Sequence, residues 1–310
     1  MSTVPATPLA CVDLGTNTCH LLVATPRAGG VDVILDTCRL VRLGQGVDQD
    51  RRLHPAAKAR TLQCLVEYAA AARAAGARAL HLVATSAMRD AVDGPAFAAQ
   101  ITRETGFEAR IISGEDEARL CWRSAARDFG ALGRPMLVFD VGGGSTEFMW
   151  GRTATATGQM SINVGSVRLT ERLLVGDPPT AAQVDAVRAH LADALTAVPA
   201  LEPGGIVVGL AGTLTTLASA SRGLPGHQPR VVHGATLTLP DVRAFLARVA
   251  PLSKPARLAI PALEPGREDV IVAGALVVEA VMLAAGAQQV TVGDGGVRWG
   301  LWWSLTSPAA

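Results

Sequence analysis

Two stretches of the chain bring an acid, a glycine turn and a set of hydroxyl or amide donors to the end of an apolar run. In LVFDVGGGSTEF, residues 137–148, the apolar Leu137, Val138 and Phe139 read as a buried strand, and Asp140 stands where that strand gives way to Gly142, Gly143 and Gly144. Glycines let backbone N–H groups approach an anion with no Cβ in the way, and Ser145 and Thr146 add hydroxyls, so Gly142 to Ser145 form a candidate phosphate cradle. Glu147 and the apolar Phe148, Met149 and Trp150 then suggest a return strand, which sets the glycines at a hairpin tip with one carboxylate on each side. Asp140 and Glu147 so placed can hold a hydrated divalent cation beside a bound phosphoryl group. A plain glycine-rich hairpin is the competing reading of the glycines alone.

The same device occurs near the start of the chain. LACVDLGTNTCHLLVA, residues 9–24, runs from an apolar segment to Asp13, Gly15 and the polar Thr16, Asn17 and Thr18, then turns apolar again. Two such hairpins facing each other across a cleft grip a phosphate from both sides, and the recurrence predicts an internal duplication of two α/β domains. We place them at residues 1–124, with a terminal helix of about 296–310 packing back onto the first, and at 125–295. A third strand, glycine turn and hydroxyl pattern, IVVGLAGTLTTLA at 206–218, opens a helix. Its Gly209, Gly212 and Thr213 form a candidate anion or nucleotide site, with close strand–helix packing as the alternative.

A candidate proton acceptor lies in IISGEDEARLCWR, residues 111–123. Ser113 followed by Asp116 resembles a capping box, so a helix begins here. Glu115 has Arg119 as a surface partner at helical spacing, whereas Glu117 shares its face with Leu120 and Cys121 and has no partner in the local sequence. A carboxylate on an apolar face is a candidate to orient or deprotonate a water. In TSAMRDA, residues 85–91, Thr85 or Ser86 caps a helix whose first turn carries Arg89, poised for an anion or for Asp90 or Asp93. Arg39, Arg42 and Arg168 are each either anion contacts or solvated surface residues.

The intervening elements must position these groups. Strands are expected at 31–35, 39–43, 80–84, 161–164 and 289–292. A helix over 56–75 carries Leu62, Leu65, Val66 and Ala69 at helical spacing and stops at Gly76. Thr180 and Gln183 open a second helix over 180–198, an apolar helix spans 269–285 just after Arg267, and aromatic residues close the chain in a terminal helix.

The 310 residues suffice for two domains, and 49% hydrophobic with 18% charged residues is ordinary for a soluble globular protein. A net charge of +1 excludes a global basic field for nucleic acid. The five cysteines show no C-x-x-C spacing and read as reduced core thiols in a cytoplasmic protein. Without a charged-then-apolar leader, and with glycines and threonines interrupting the longest uncharged run at 203–221, no membrane association is expected.

In order along the chain, VDLGTNTCHLLVA, VRLGQG, TSAMRDA, IISGEDEARL, FDVGGGSTEF, NVGSVRLTE, GLAGTLTTLA and GVRWGL resemble the exopolyphosphatase and guanosine pentaphosphate phosphohydrolase (Ppx/GppA) family. The resemblance implies an α/β protein of the actin-like ATPase superfamily. It would have two ribonuclease H-like domains, the active site in the interdomain cleft, and magnesium-dependent (or manganese-dependent) release of terminal phosphate. Glu117 matches the family's catalytic base; Asp140, Gly142 and Glu147 match its metal and phosphate positions, and Asp13 the corresponding acid of the first hairpin. Gly15, Thr16, Asn17, Arg89, Gly142 to Ser145, Gly212 and Thr213 are then the phosphate-binding set. Inorganic polyphosphate is the first expected substrate and guanosine pentaphosphate the second, and a homodimer is compatible with either. A sugar or acetate kinase of the same superfamily and a non-catalytic alarmone or nucleotide sensor are the readings from other classes. Two departures stand out: the first motif ends in His20 where an arginine is usual, and GLAGTLTT lacks the commoner pair of adjacent glycines.

Overall fold

Leu9–Leu14 (β1) is apolar and buried except at Leu9 and Asp13, as a central strand must be, and it organises a five-stranded sheet. The computed structural model describes residues 7–28, 30–130, 133–226 and 228–307. The chain forms two compact units, Met1–Leu120 with Val297–Ala310, and Cys121–Gly296. Residues 1–6 and 308–310, the outer ends of the predicted first domain, lie outside the described residues.

In the first unit, β1 is followed by β2 (Thr18–Arg27), β3 (Gly30–Leu40), α1 (Val47–Asp50), α2 (Pro55–Ala74), β4 (Ala79–Ala84), α3 (Ser86–Asp90), α4 (Gly94–Thr105), β5 (Glu108–Ile111) and the start of α5 (Gly114–Phe129). Sheet order is β3-β2-β1-β4-β5, with β2 antiparallel to both neighbours and β4 and β5 parallel to β1. The helix predicted over 56–75 is present, but its buried stripe runs through Cys64, Leu65, Tyr68, Ala69 and Ala72, and Val66 is exposed. Tyr68 decides this: its hydroxyl donates to the Cys19 carbonyl at 3.1 Å and turns Val66 outward. The two strands predicted at 31–35 and 39–43 are one strand, β3, ending at Leu40. Beyond it, the amides of Val41 and Arg42 both donate to the Asn17 carbonyl, and Arg42 takes φ +50°, which no strand continues.

The second unit comprises β6 (Met136–Val141), β7 (Thr146–Gly151), β8 (Gly158–Ile162), α6 (Ser166–Leu173), α7 (Ala181–Ala194), β9 (Ile206–Leu210), α8 (Gly212–Ser221), α9 (Pro229–Val232), β10 (Thr236–Thr238), α10 (Leu239–Val249), α11 (Lys254–Arg257), α12 (Ile271–Ala284) and β11 (Gln289–Val292). Its sheet order is β10-β11-β9-β6-β7-β8. Strands β6, β7 and β8 form an antiparallel meander, and β9 and β11 follow parallel to β6. Apart from the added β10, this repeats the order and directions of the first sheet. Thr180 and Gln183 form the reciprocal capping box of α7, whose Val184, Val187 and Leu191 are buried. The apolar α12 is covered along nearly its whole length by α6, α7, α8 and α10, which explains the lack of a polar face.

The last helix, α13 (Val297–Thr306), belongs to the first unit. Arg298 grips Asp36 through Nε at 2.8 Å and Nη2 at 3.3 Å, and the buried Trp302 donates to the Ala24 carbonyl at 3.2 Å. Among the described residues no helix is long and apolar enough to cross a membrane. The cysteines are free; Cys11, Cys19, Cys64 and Cys121 are buried as predicted of core thiols, and Cys38 is exposed.

Candidate active site

In both units the glycine hairpin closes in one way. Gly15 N–H donates to the Thr18 carbonyl at 2.9 Å, and Gly142 N–H to the Ser145 carbonyl at 3.0 Å. These two amides are therefore spent inside their turns, and the donors offered outward are those that follow. In the second unit the reason is explicit. The carbonyl of Gly142 accepts from Ser166 N–H at 3.0 Å and that of Gly143 from the amides of Val167 and Arg168 at 2.8 and 3.1 Å, while the carbonyl of Gly144 accepts from Arg168 Nε at 2.7 Å. A trans peptide sets the C=O of one residue and the N–H of the next on opposite sides. With three consecutive carbonyls drawn back onto α6, the amides of Gly143, Gly144 and Ser145 turn the other way. The approach needs glycine at residue 165, where a Cβ would lie 2.4 Å from the Gly143 carbonyl. Arg168, expected as an anion contact or a surface residue, does not lie on the surface: it is buried, and its Nε holds the back of the loop.

The first unit uses the same logic with fewer bonds. The Thr16 carbonyl accepts from Gly44 N–H at 2.8 Å, and the Asn17 carbonyl from Val41 and Arg42 at 3.0 and 2.9 Å, so the amides of Asn17 and Thr18 face away from those partners. Thr16 and Asn17 are themselves buried, and Asp13 is half-buried at the end of β1. His20 stands opposite Asp13 in the β1–β2 register, with Nε2 3.6 Å from the Cys38 sulfur.

The carboxylates flanking the second loop differ in setting. Asp140 and Glu147 are direct partners across β6 and β7. Asp140 is half-buried, and its Oδ2 accepts from the Cys121 thiol at 3.1 Å. Glu147 is completely buried, and its Oε1 accepts from the hydroxyls of Ser145 and Ser161, both at 2.7 Å. Among the described residues, no three His, Cys, Asp or Glu side chains converge into a metal-binding group.

Glu117, read from the sequence as lacking a partner, has one. It is 7% exposed, and its Oε2 receives Arg89 Nη1 at 3.1 Å; the same nitrogen donates to the Ile112 carbonyl at 2.9 Å. Arg89 therefore pairs with neither Asp90, which receives the Ser86 hydroxyl, nor Asp93, which binds Lys58 and the Leu53 amide. Both partners stand at the C-terminal ends of parallel strands, Arg89 on α3 after β4 and Glu117 on α5 after β5, where open α/β sheets place their ligands. The Ser113 cap is formed, with Asp116 N–H donating to its hydroxyl at 3.1 Å. Arg119, however, pairs with Asp116 and not Glu115, and that contact holds the Asp116 carboxyl below the usual range. Spacing of three and spacing of four are equally open to a helix pair, so sequence alone could not choose.

At the third glycine pattern, Gly212 opens α8 and faces the buried Arg267, whose guanidinium would lie 2.3 Å from a Cβ at residue 212. Arg267 Nε donates to Glu264 at 3.0 Å. Thr213 is buried against Gly274, and Ala211 just before the helix has φ +77° and ψ 170°.

Sequence reasoning missed Cys121, Ser161 and the anchoring role of Arg168 and Gly165. The only available signal for Cys121 was its place one helical turn after Glu117.

Two sheets of one ribonuclease H-like topology, each with a glycine hairpin tip at the end of its first strand, define the class as a tandem α/β protein. Within it, the chain belongs to the Ppx/GppA phosphatase family, whose profile matches residues 22–307. It is 38% identical over 317 residues to exopolyphosphatase 2 of Mycobacterium tuberculosis, a match covering 96% of this chain and 98% of that protein. Among solved structures it is similar to an exopolyphosphatase-like protein, with 31% identity, a TM-score of 0.89 and coverage of 97% and 98%. The Aquifex aeolicus member of the Ppx/GppA family has 28% identity, a TM-score of 0.83 and coverage of 99% and 100%.

Proposed function

We propose that the chain is an exopolyphosphatase, releasing orthophosphate from the end of inorganic polyphosphate by in-line attack of water, with guanosine pentaphosphate as the second candidate substrate. The observation that carries the reading is the β6–β7 tip, where three tied carbonyls turn the amides of Gly143, Gly144 and Ser145 outward as a preorganised set of donors. Such a set suits the equatorial oxygens of a transferring phosphoryl group, where chemistry is mostly positioning and charge stabilisation. The amide of Asn17 is the matching donor in the first unit. The choice of polyphosphate follows from the exopolyphosphatase relative that matches nearly the whole chain.

Glu117 positions or deprotonates the water. Arg89 fixes its Oε2 and so sets the plane of the carboxylate. Magnesium fits the donor set: this ion takes one or two carboxylates, keeps several waters and relies on substrate phosphate, so a three-ligand protein cage is not required. Asp140 is the carboxylate best placed to hold it, with Asp13 the corresponding acid of the first hairpin. Glu147, buried and bound by two hydroxyls, supports the loop from behind. When bound, the cation would neutralise charge developing on the phosphoryl oxygens.

Glu117→Gln tests the assignment, with phosphate release from polyphosphate, guanosine pentaphosphate and ATP measured with and without magnesium. Turnover should fall by about 100-fold or more with unchanged melting behaviour. Near-wild-type turnover removes Glu117 from the mechanism. Phosphate passed to an acceptor from tightly bound ATP would point to a kinase, and ligand-induced stabilisation without turnover to a sensor.

A further inference from the structure

The thiol of Cys121 faces a carboxylate of the β6–β7 hairpin. Cys121 is 0% exposed on α5, and its sulfur donates to Oδ2 of Asp140 at 3.1 Å. A thiol is a weak donor, but a carboxylate is a strong acceptor, and the sulfur itself is closed off from water. The next inward position of the helix is Ser124, also buried, whose hydroxyl accepts the amide of Gly296 at 3.1 Å. Gly296 has φ +94°, and its missing Cβ would stand 3.5 Å from that same Asp140 Oδ2. Two successive inward polar atoms of α5 thus fix the two walls between which one carboxylate oxygen is held. An aliphatic residue at 121 offers no donor, so the carboxylate, whose terminal torsion is intrinsically broad, loses a bond that helps to orient it.

We propose that Cys121 is a positioning residue for Asp140, holding Oδ2 through its thiol and thereby setting the direction in which the carboxylate presents itself to a divalent cation. The proposal rests on the reading of Asp140 as the cation-holding carboxylate. Partners of this kind, which orient a ligand without touching the metal, typically change metal affinity or activity by about 10–100-fold when removed. A weak neutral donor belongs at the lower end of that range. It also makes the conservative exchange informative, because a serine hydroxyl keeps the donor and a valine keeps the volume without it.

The test compares wild type with Cys121→Val, Cys121→Ser and Asp140→Asn. Manganese binding is followed by electron paramagnetic resonance on substrate-free protein, and the magnesium concentration for half-maximal phosphate release and the melting temperature are measured alongside. Cys121→Val should weaken manganese binding and raise the half-activating magnesium concentration by about 10-fold, with a melting temperature close to wild type. Cys121→Ser should return both to within about 2-fold of wild type. If valine proves unfolded, Cys121→Ala against Cys121→Ser carries the same comparison. Equal manganese affinity in wild type and Cys121→Val, with binding lost in Asp140→Asn, overturns the role of Cys121 and leaves Asp140 in place. A serine variant as impaired as valine also overturns it, because shape and not the donor would then matter. Undiminished manganese binding by Asp140→Asn removes the cation role of Asp140 itself.

Discussion

Ala211 holds a conformation that belongs to glycine, and relieving it should stabilise the protein. Its φ of +77° with ψ of 170° lies in a region that side chains almost never occupy, at a cost on the order of 1–3 kcal/mol. The position precedes Gly212 and the first turn of α8, so the backbone is steered there by the helix N-terminus and by the packing of Gly212 against Arg267. Ala211→Gly removes the strain. Two terms oppose the gain: the greater freedom of glycine in the unfolded chain, about 0.5–1 kcal/mol, and the loss of a half-buried methyl, at most about 0.4 kcal/mol. Taking the middle of each range leaves a net stabilisation of about 1 kcal/mol, which for a domain of this size raises the melting temperature by about 2–4 °C. Scanning calorimetry of wild type, Ala211→Gly and Ala211→Val measures it, with valine expected to move the opposite way because a β-branched residue tolerates positive φ least. An Ala211→Gly melting temperature equal to or below wild type would refute the strain argument.

Other consequences are open to direct measurement. Asp241 accepts the Thr238 hydroxyl at 2.6 Å and the Thr238 amide at 2.9 Å at the start of α10, and these bonds hold its carboxyl below the usual range. A depressed carboxyl stabilises the fold above its unfolded pKa of about 3.9 and loses that contribution as pH falls through the folded value. Asp241→Ala should therefore cost about 0.5–1 kcal/mol near neutral pH, a gap that closes in strong acid; urea midpoints at the two pH values check it, and a constant gap would contradict it. His20 stands opposite Asp13 across β1 and β2. An arginine carries a permanent charge, so His20→Arg should lower the KM for polyphosphate at neutral pH. An unchanged KM would place residue 20 outside the substrate contacts.

What the sequence disclosed was carried by residues with a conformational message of their own. The glycines and acids of the two hairpins announced tight turns between apolar strands, and Asp140 and Glu147 indeed stand opposite each other across such a turn. The Thr180 and Gln183 capping box was legible for the same reason, since its partners are neighbours in the chain. Contacts closed by the tertiary fold were not. Arg89 meets Glu117 across a separation of 28 residues, and nothing near Arg89 in the sequence ranks that partner above Asp90 or Asp93. The length of β3 depended on the Asn17 carbonyl capturing two amides beyond its end, a bond that belongs to another strand's turn.

Arg168 shows why charge type alone misleads at such a site. An arginine next to a glycine loop invites the reading of an anion contact, because guanidinium and phosphate are natural partners. Here the same residue binds a carbonyl behind the loop, and by pulling that carbonyl back it turns the following amide forward. The residue before Gly212 carries a related lesson in reverse. The fold imposes a glycine conformation at Ala211 although the side chain opposes it. Backbone direction at these turns is thus imposed by the hydrogen bonds and packing around them, and the side chains are chosen, or tolerated, to suit it.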